Sequence, residues 1–134
     1  MTDVLGWRKL IGVVAPSTNT VVQPEMEGMR PVGVTNHFSR IHVEDPVALS
    51  DEDFLAGTQA ISDNTMDAVR SVMTCKPDYL VMGMSAITFY GGLKGGELWK
   101  RQVEDLAGVG ASVGSEATVA ALNAYGGIKR VSFV

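Results

Sequence analysis

The stretch Leu10-Ile11-Gly12-Val13-Val14-Ala15-Pro16-Ser17-Thr18-Asn19-Thr20 decides the fold of this chain. Its first six residues are an uninterrupted apolar run stopped by Pro16, the pattern of a strand buried on both faces of a parallel sheet. Short polar side chains follow the proline, and these favour turns and helix N-caps. A short helix through Val21–Gly28 fits next, provided Pro24 lies in its first turn, where its missing N–H costs nothing.

Working outward, Val34–Val43 reads as a second strand, diluted by Asn36, His37 and Arg40. Ser50 followed by Asp51, Glu52 and Asp53 is a helix start, a serine cap with acidic groups over the positive end of the helix dipole. From there Phe54, Thr58, Ile61, Thr65, Val69, Val72 and Met73 recur at spacings of three and four, one apolar stripe that ends before Pro77. Tyr79–Met82 gives a third strand, Glu97–Leu106 a helix after a glycine-rich loop, and Ala111–Val113 a short fourth strand. Ser115–Tyr125 is an alanine-rich helix closed by Gly126-Gly127, and Val131–Val134 opens a fifth strand. Strands alternating with helices over short loops predict an α/β fold, a parallel sheet flanked by helices on both faces.

Composition narrows the partners. The chain has 134 residues, 46% hydrophobic and 19% charged, enough for one folded domain and unlike a disordered one. A net charge of −4 and an isoelectric point near 5.0, with no basic stripe, give no means of neutralising phosphates, so nucleic acid is not expected. No apolar run approaches the ~20 residues that span a bilayer, so no membrane is expected. Met1–Lys9 lacks the shape of a signal peptide, which makes the cytoplasm the default location. The single cysteine, Cys75, has no internal partner for a disulfide. The chain stops at Val134 inside an apolar run, which leaves two readings: a terminal strand, or a polypeptide cut short.

In open parallel sheets ligands bind beyond the carboxyl ends of the strands. Three loops reach that edge: Pro16–Thr20, the segment after Arg40–His42, and Met84-Ser85-Ala86-Ile87-Thr88-Phe89-Tyr90-Gly91-Gly92. The first and third carry hydroxyls, an amide and glycines but no acid. Such groups, with backbone N–H groups at helix N-termini, suit a carboxylate better than a cation. Gly91-Gly92-Leu93-Lys94-Gly95-Gly96 has neither the dinucleotide-binding glycine order nor a P-loop ending, and serves either a close backbone approach or a plain surface loop. No His, Cys, Asp and Glu have metal-ligand spacing, so no metal and no cofactor are expected.

Cys75 falls at the amino edge of the third strand, away from the ligand edge, and reads as structural. His37 reads the same way. His42 is either an acid–base group at the end of strand two or an exposed histidine. Arg40 either attracts a carboxylate or pairs with Glu44 or Asp45, and Lys94 is open in the same sense. Trp7 and Trp99 read as packing groups.

The run Ile11–Thr20, followed by Glu25-Met26, resembles the opening of maleate cis-trans isomerases and arylmalonate decarboxylases, members of the aspartate/glutamate racemase superfamily. Asp78–Gly92 falls where that superfamily carries its first cysteine motif, and Val113–Val134 resembles its crossing into a second domain. The resemblance implies a flavodoxin-like half of a pseudo-symmetric two-domain enzyme. Residues 1–113 would then form the N-terminal α/β domain, and residues 114–134 a crossing helix and the first strand of a truncated second domain. It implies cofactor-independent chemistry at the carbon beside a carboxylate of a small (di)carboxylic acid, through an enediolate, as isomerase or lyase. By position, Ser17, Thr18 and Asn19 would bind the substrate carboxylate, with Ser85, Ala86, Ile87 and Thr88 as an oxyanion loop.

The chain departs from that pattern where the first catalytic cysteine is expected. Met84 stands there, and a thioether has no proton to give and forms no thiolate. Arylmalonate decarboxylases likewise lack the first cysteine, so one-cysteine chemistry fits better than two, with the cysteine beyond Val134. The 134-residue chain alone is then expected to be inactive. A half-molecule exposes the surface its second domain would cover, so a homo-oligomer is expected. The alternatives are a non-catalytic carboxylate-binding protein on the same scaffold and a free-standing flavodoxin-like domain with an unrelated ligand.

Overall fold

The computed structural model describes residues 3–44, 50–84 and 92–132. Four parallel strands form one sheet in the order β2-β1-β3-β4: β1 is Lys9–Pro16, β2 Val34–Ile41, β3 Tyr79–Met82 and β4 Ala111–Ser112. The deciding stretch is thus a central strand, paired on both sides, Val13 lying opposite Phe38 on one side and Val81 on the other. Among the described residues three α-helices connect the strands, α1 Val22–Gly28, α2 Asp51–Val72 and α3 Gly92–Ala107, and a fourth, α4 Gly114–Tyr125, follows β4.

Strand residues alternate between the two faces of the sheet, and the register shows which helix meets which face. A Cβ added at Gly12 would meet Leu80, Pro77 and Val72 of α2. Gly12, Val14, Leu80, Met82 and Ala111 therefore look toward α2 and α3. There Val14, Ile41, Leu80, Val69, Val72, Trp99 and Val103 form one buried cluster. Burying a Leu or Val side chain in such a cluster contributes about 1.5–3 kcal/mol. Val13, Ala15 and Val81 look the other way. That side carries α1: the Asn36 side chain donates to the Met26 carbonyl at 3.1 Å, and a Cβ at Gly83 would fall 2.8 Å from Val22. Helices flank both faces, as the sequence predicts.

The N-terminus of α2 is built as its sequence suggests, with the Ser50 hydroxyl accepting from the Asp53 N–H at 3.1 Å. Thr58, Ile61, Thr65, Val69 and Val72 of the predicted stripe are buried, whereas Phe54 is 49% exposed. At 1.5 Å per residue α2 runs to about 33 Å, longer than the eight-residue β1 and β2. A 3₁₀ turn, Met73–Cys75, continues α2, and Lys76 with φ 53° turns the chain toward Pro77. Asp78 then fastens β3 to β1. Its carboxylate accepts from the Leu10 N–H at 2.8 Å and from Lys9 Nζ at 2.9 Å. The Leu10 N–H bond, with Lys9 second, holds the Asp78 carboxyl below the usual range.

Two expectations change. Gly92–Gly96, read as loop, are the first turns of α3, which begins five residues before Glu97. Glycine disfavours helix by only ~1 kcal/mol per residue, and tertiary packing overrides that: Gly96 is buried in the helix. Val131 and Ser132 lie in no strand, and Phe133 and Val134 fall outside the described residues, so the sheet has four strands among the described residues rather than five. The alanine-rich run of α4 buries no residue, and Gly126 with φ 68° ends the helix.

Candidate functional site

The tips of β1 and β3 lie side by side, joined by the Gly83 N–H donating to the Val14 carbonyl at 2.8 Å. Beyond them the chain diverges on the face that carries α1, and a cleft of about 460 Å³ opens between the strand tips, α1 and the start of α4. That volume suits a small molecule. Asn19 lines it from the first tip and Met84 from the third, with Val22, Glu25, Met26 and Met29 along α1. Val81, Met82 and Gly83 of the third strand and its tip, with Gly114 at the start of α4, complete the lining.

The polar loop after β1 divides its groups between scaffold and solvent. The Ser17 hydroxyl accepts from the Val43 N–H at 3.0 Å, and the Ser17 N–H donates to the Ile41 carbonyl, so Ser17 stitches β1 to the end of β2. Asn19 Oδ1 accepts from the N–H groups of Val21 and Val22 at 3.0 and 2.9 Å. The first amides of α1 are therefore occupied by a side chain and do not form an open anion cradle. Asn19 Nδ2, by contrast, has no partner among the described residues, and Asn19 is one of the residues that line the cleft. Thr18 is exposed beside it.

Asp45, one of the partners the sequence offers Arg40, lies outside the described residues. The Arg40 guanidinium donates to the Asn19 carbonyl at 2.6 Å and to Gln23 Oε1 at 2.7 Å, and pairs with no carboxylate among the described residues. It clamps the first loop and α1 onto β2. His42 is exposed, and its carbonyl accepts from Asn64. The His37 ring meets the Thr35 hydroxyl at 3.0 Å, a half-buried structural contact. Cys75 lies at the opposite edge from the cleft, its thiol donating to the Val72 carbonyl at 3.0 Å. Burial raises its pKa, which disfavours the thiolate.

Ser85, Ala86, Ile87 and Thr88 of the predicted oxyanion loop lie outside the described residues. Among the described residues no three or more His, Cys, Asp or Glu side chains are placed to hold a metal ion, and no helix is long and apolar enough to cross a membrane. Sequence reasoning gave no role to Glu25, Met26 or Met29. Two turns of helix are too few for periodicity to reveal a cleft-facing side.

No known protein family's sequence pattern matches the chain, and no curated protein's sequence does. Solved structures do. Maleate cis-trans isomerase of Nocardia farcinica bound to TRIS superposes with a TM-score of 0.68 at 19% identity, over 87% of this chain and 48% of that one. This chain shares its fold. A cysteine-to-serine mutant of the same enzyme, holding a covalently bound succinylcysteine intermediate, superposes with a TM-score of 0.69 at 20% identity over the same shares. The chain thus spans about half the length of the isomerase structures it matches.

Proposed function

We propose that this chain is the N-terminal half of a cofactor-independent enzyme of the maleate isomerase and arylmalonate decarboxylase kind, acting beside a carboxylate of a small acid. The observation that carries the reading is that Asn19 and Met84, on the tips of different strands, line one cleft at the carboxyl edge of the sheet. The fold shared with maleate cis-trans isomerase supports it. In this scheme the free Nδ2 donors of Asn19 receive the substrate carboxylate, while Oδ1, fixed on α1, holds the amide in one orientation. Thr18 and Ser85–Thr88 supply further donors, and Ser17 positions the turn after β1 through Val43. Hydrogen bonds of this kind stabilise the enediolate that forms when a proton or carboxyl group leaves the α-carbon.

Met84 occupies the place of the first cysteine in this scheme, so the proton is handled by a single thiol from a second half. This chain alone is inactive. Residues 114–134 act as the crossing to that half: α4 buries nothing of its own and leaves Val119 and Tyr125 57% and 84% exposed. Association in solution follows from the same exposed surface.

Two measurements test the reading. Asn19→Ala should weaken binding of a small carboxylate by ~1–3 kcal/mol in calorimetry, the usual cost of leaving a charged acceptor unpaired. Unchanged affinity would remove Asn19 from the site. The complete protein should exchange deuterium at the α-carbon of, isomerise or decarboxylate at least one acid among maleate, aspartate, glutamate and arylmalonates. Binding without any turnover would favour the second reading, a carboxylate-binding protein on the same scaffold, to which the lack of a thiol at Met84 points.

A further inference from the structure

β2 carries two polar side chains on the face that bears α1, and both serve that helix. In the parallel register Asn36 lies opposite Ile11, Phe38 opposite Val13 and Arg40 opposite Ala15, so the three form one row on that face. Asn36 holds the end of α1 through the Met26 carbonyl. Arg40 holds its start: Nη1 donates to the Asn19 carbonyl at 2.6 Å and Nη2 to Gln23 Oε1 at 2.7 Å. Nη1 also lies 3.5 Å from the Pro16 carbonyl. The guanidinium sits over the Phe38 ring, 5.9 Å from its centre, a contact that steadies it.

α1 needs such anchors. Seven residues are too few for a helix to persist on its own hydrogen bonds, none of them is fully buried, and Val21 before them offers no side-chain cap. Asn19 stands where the contacts at its start meet. The bonds of Asn19 to Pro16, Val21 and Val22 are local and set its conformation. The bond from Arg40 comes from a neighbouring strand, 21 residues along the chain, and sets where that conformation stands on the sheet. It adds to the bond between Ser17 and Val43 a second hold on the turn, this one on Asn19 itself.

We propose that Arg40 is a positioning residue: its forked bonds to the Asn19 carbonyl and to Gln23 fix Asn19 and the start of α1 beside the cleft, so that carboxylate binding depends on Arg40 through Asn19. The proposal rests on the carboxylate-binding role given to Asn19. Arginine suits this duty because its planar fork meets two acceptors at once, whereas a lysine ammonium keeps the charge as a point donor without the fork.

The test is calorimetric titration of the complete protein with maleate, phenylmalonate, aspartate and glutamate, combined with hydrogen exchange. Arg40→Ala should weaken the tightest-bound acid about five- to ten-fold, the size expected of one lost hydrogen bond, and should speed exchange of the Val21 and Val22 amides. Arg40→Lys should regain less than about half of that loss. In an Asn19→Ala background Arg40→Ala should cost less than about two-fold, because the group it positions has gone. Gln23→Ala removes one prong at an exposed side chain and should cost about two- to three-fold; it carries the same double-mutant cycle if Arg40→Ala fails to fold. Equal losses with and without the Asn19 side chain overturn the proposal, as does full recovery in Arg40→Lys, which would make charge the cause. A lower urea midpoint with unchanged affinity in Arg40→Ala overturns it too, leaving Arg40 as a structural clamp alone. In all three cases a loss of affinity in Asn19→Ala keeps the carboxylate reading. Failure of the wild type to bind any of the four acids, or unchanged affinity in Asn19→Ala, overturns both.

Discussion

The two faces of the sheet are built from the same four strands and end up doing different work. On one face Val14, Leu80 and Met82 pack against α2 and α3 in a continuous buried cluster. On the other, which carries the seven-residue α1, Val13 and Ala15 are buried while Val81 stays half-exposed as a wall of the cleft. The face with long helices holds the molecule together, and the face with the short helix leaves room for a ligand. A parallel sheet needs cover on both sides, so a gap in one cover becomes a pocket whose floor is the sheet itself.

Neighbouring residues of β3 make the sharpest trial of this contrast. Leu80, 2% exposed on the closed face, should cost about 2–5 kcal/mol as Leu80→Ala in urea unfolding. Val81→Ala, one residue on and facing the cleft, should cost less than about 1.5 kcal/mol. Equal losses would mean that the cleft face carries as much of the stability as the core does.

Helix caps give a smaller effect with a different signature. Ser50→Ala and Asn19→Ala each remove a side-chain acceptor from the first amides of a helix, a loss of ~1 kcal/mol. Because α2 is packed along the closed face, Ser50→Ala should lower global stability. Asn19→Ala should mainly speed hydrogen exchange in α1, a local opening that leaves the urea midpoint almost unmoved.

The smallest effect belongs to Asp78 at the amino edge, where both faces are anchored. Its folded pKa lies below the ordinary carboxylate value because the Leu10 N–H and Lys9 favour the charged form. Its contribution is therefore complete above the unfolded pKa and lost as pH falls through the folded one. Asp78→Asn should flatten the acid limb of stability against pH below about 4. Identical acid limbs for variant and wild type would show that the bond to Leu10 contributes through geometry alone.

The same division explains what the sequence disclosed. The closed face announces itself locally: the run Leu10–Ala15, the three-and-four spacing of α2 and the Ser50 cap each appear within a few consecutive residues. Gly92–Gly96 misleads, because glycine is a weak local signal that packing of Gly96 within the helix overrules. At the cleft, Ser17 and Asn19 are visible as polar turn residues, but their duties depend on distant partners. Ser17 is taken by Val43, 26 residues away, and the carbonyl of Asn19 is taken by Arg40. Asn19 Nδ2 is available only because of where Oδ1 is held, and no spacing in the chain encodes that.

Gly83 sets the width of the cleft. A Cβ there would fall 2.8 Å from Val22 Cγ1, 3.1 Å from Ala15 Cβ and 3.3 Å from the Val14 carbonyl, so α1 rests directly on bare backbone at the strand tip. Anyone wishing to enlarge or reshape the ligand chamber should therefore trim Val22 before touching Gly83. A methyl at position 83 would press on Val22 of α1 and on Ala15 and Val14 of β1, and Val22→Ala would relieve the tightest of these contacts.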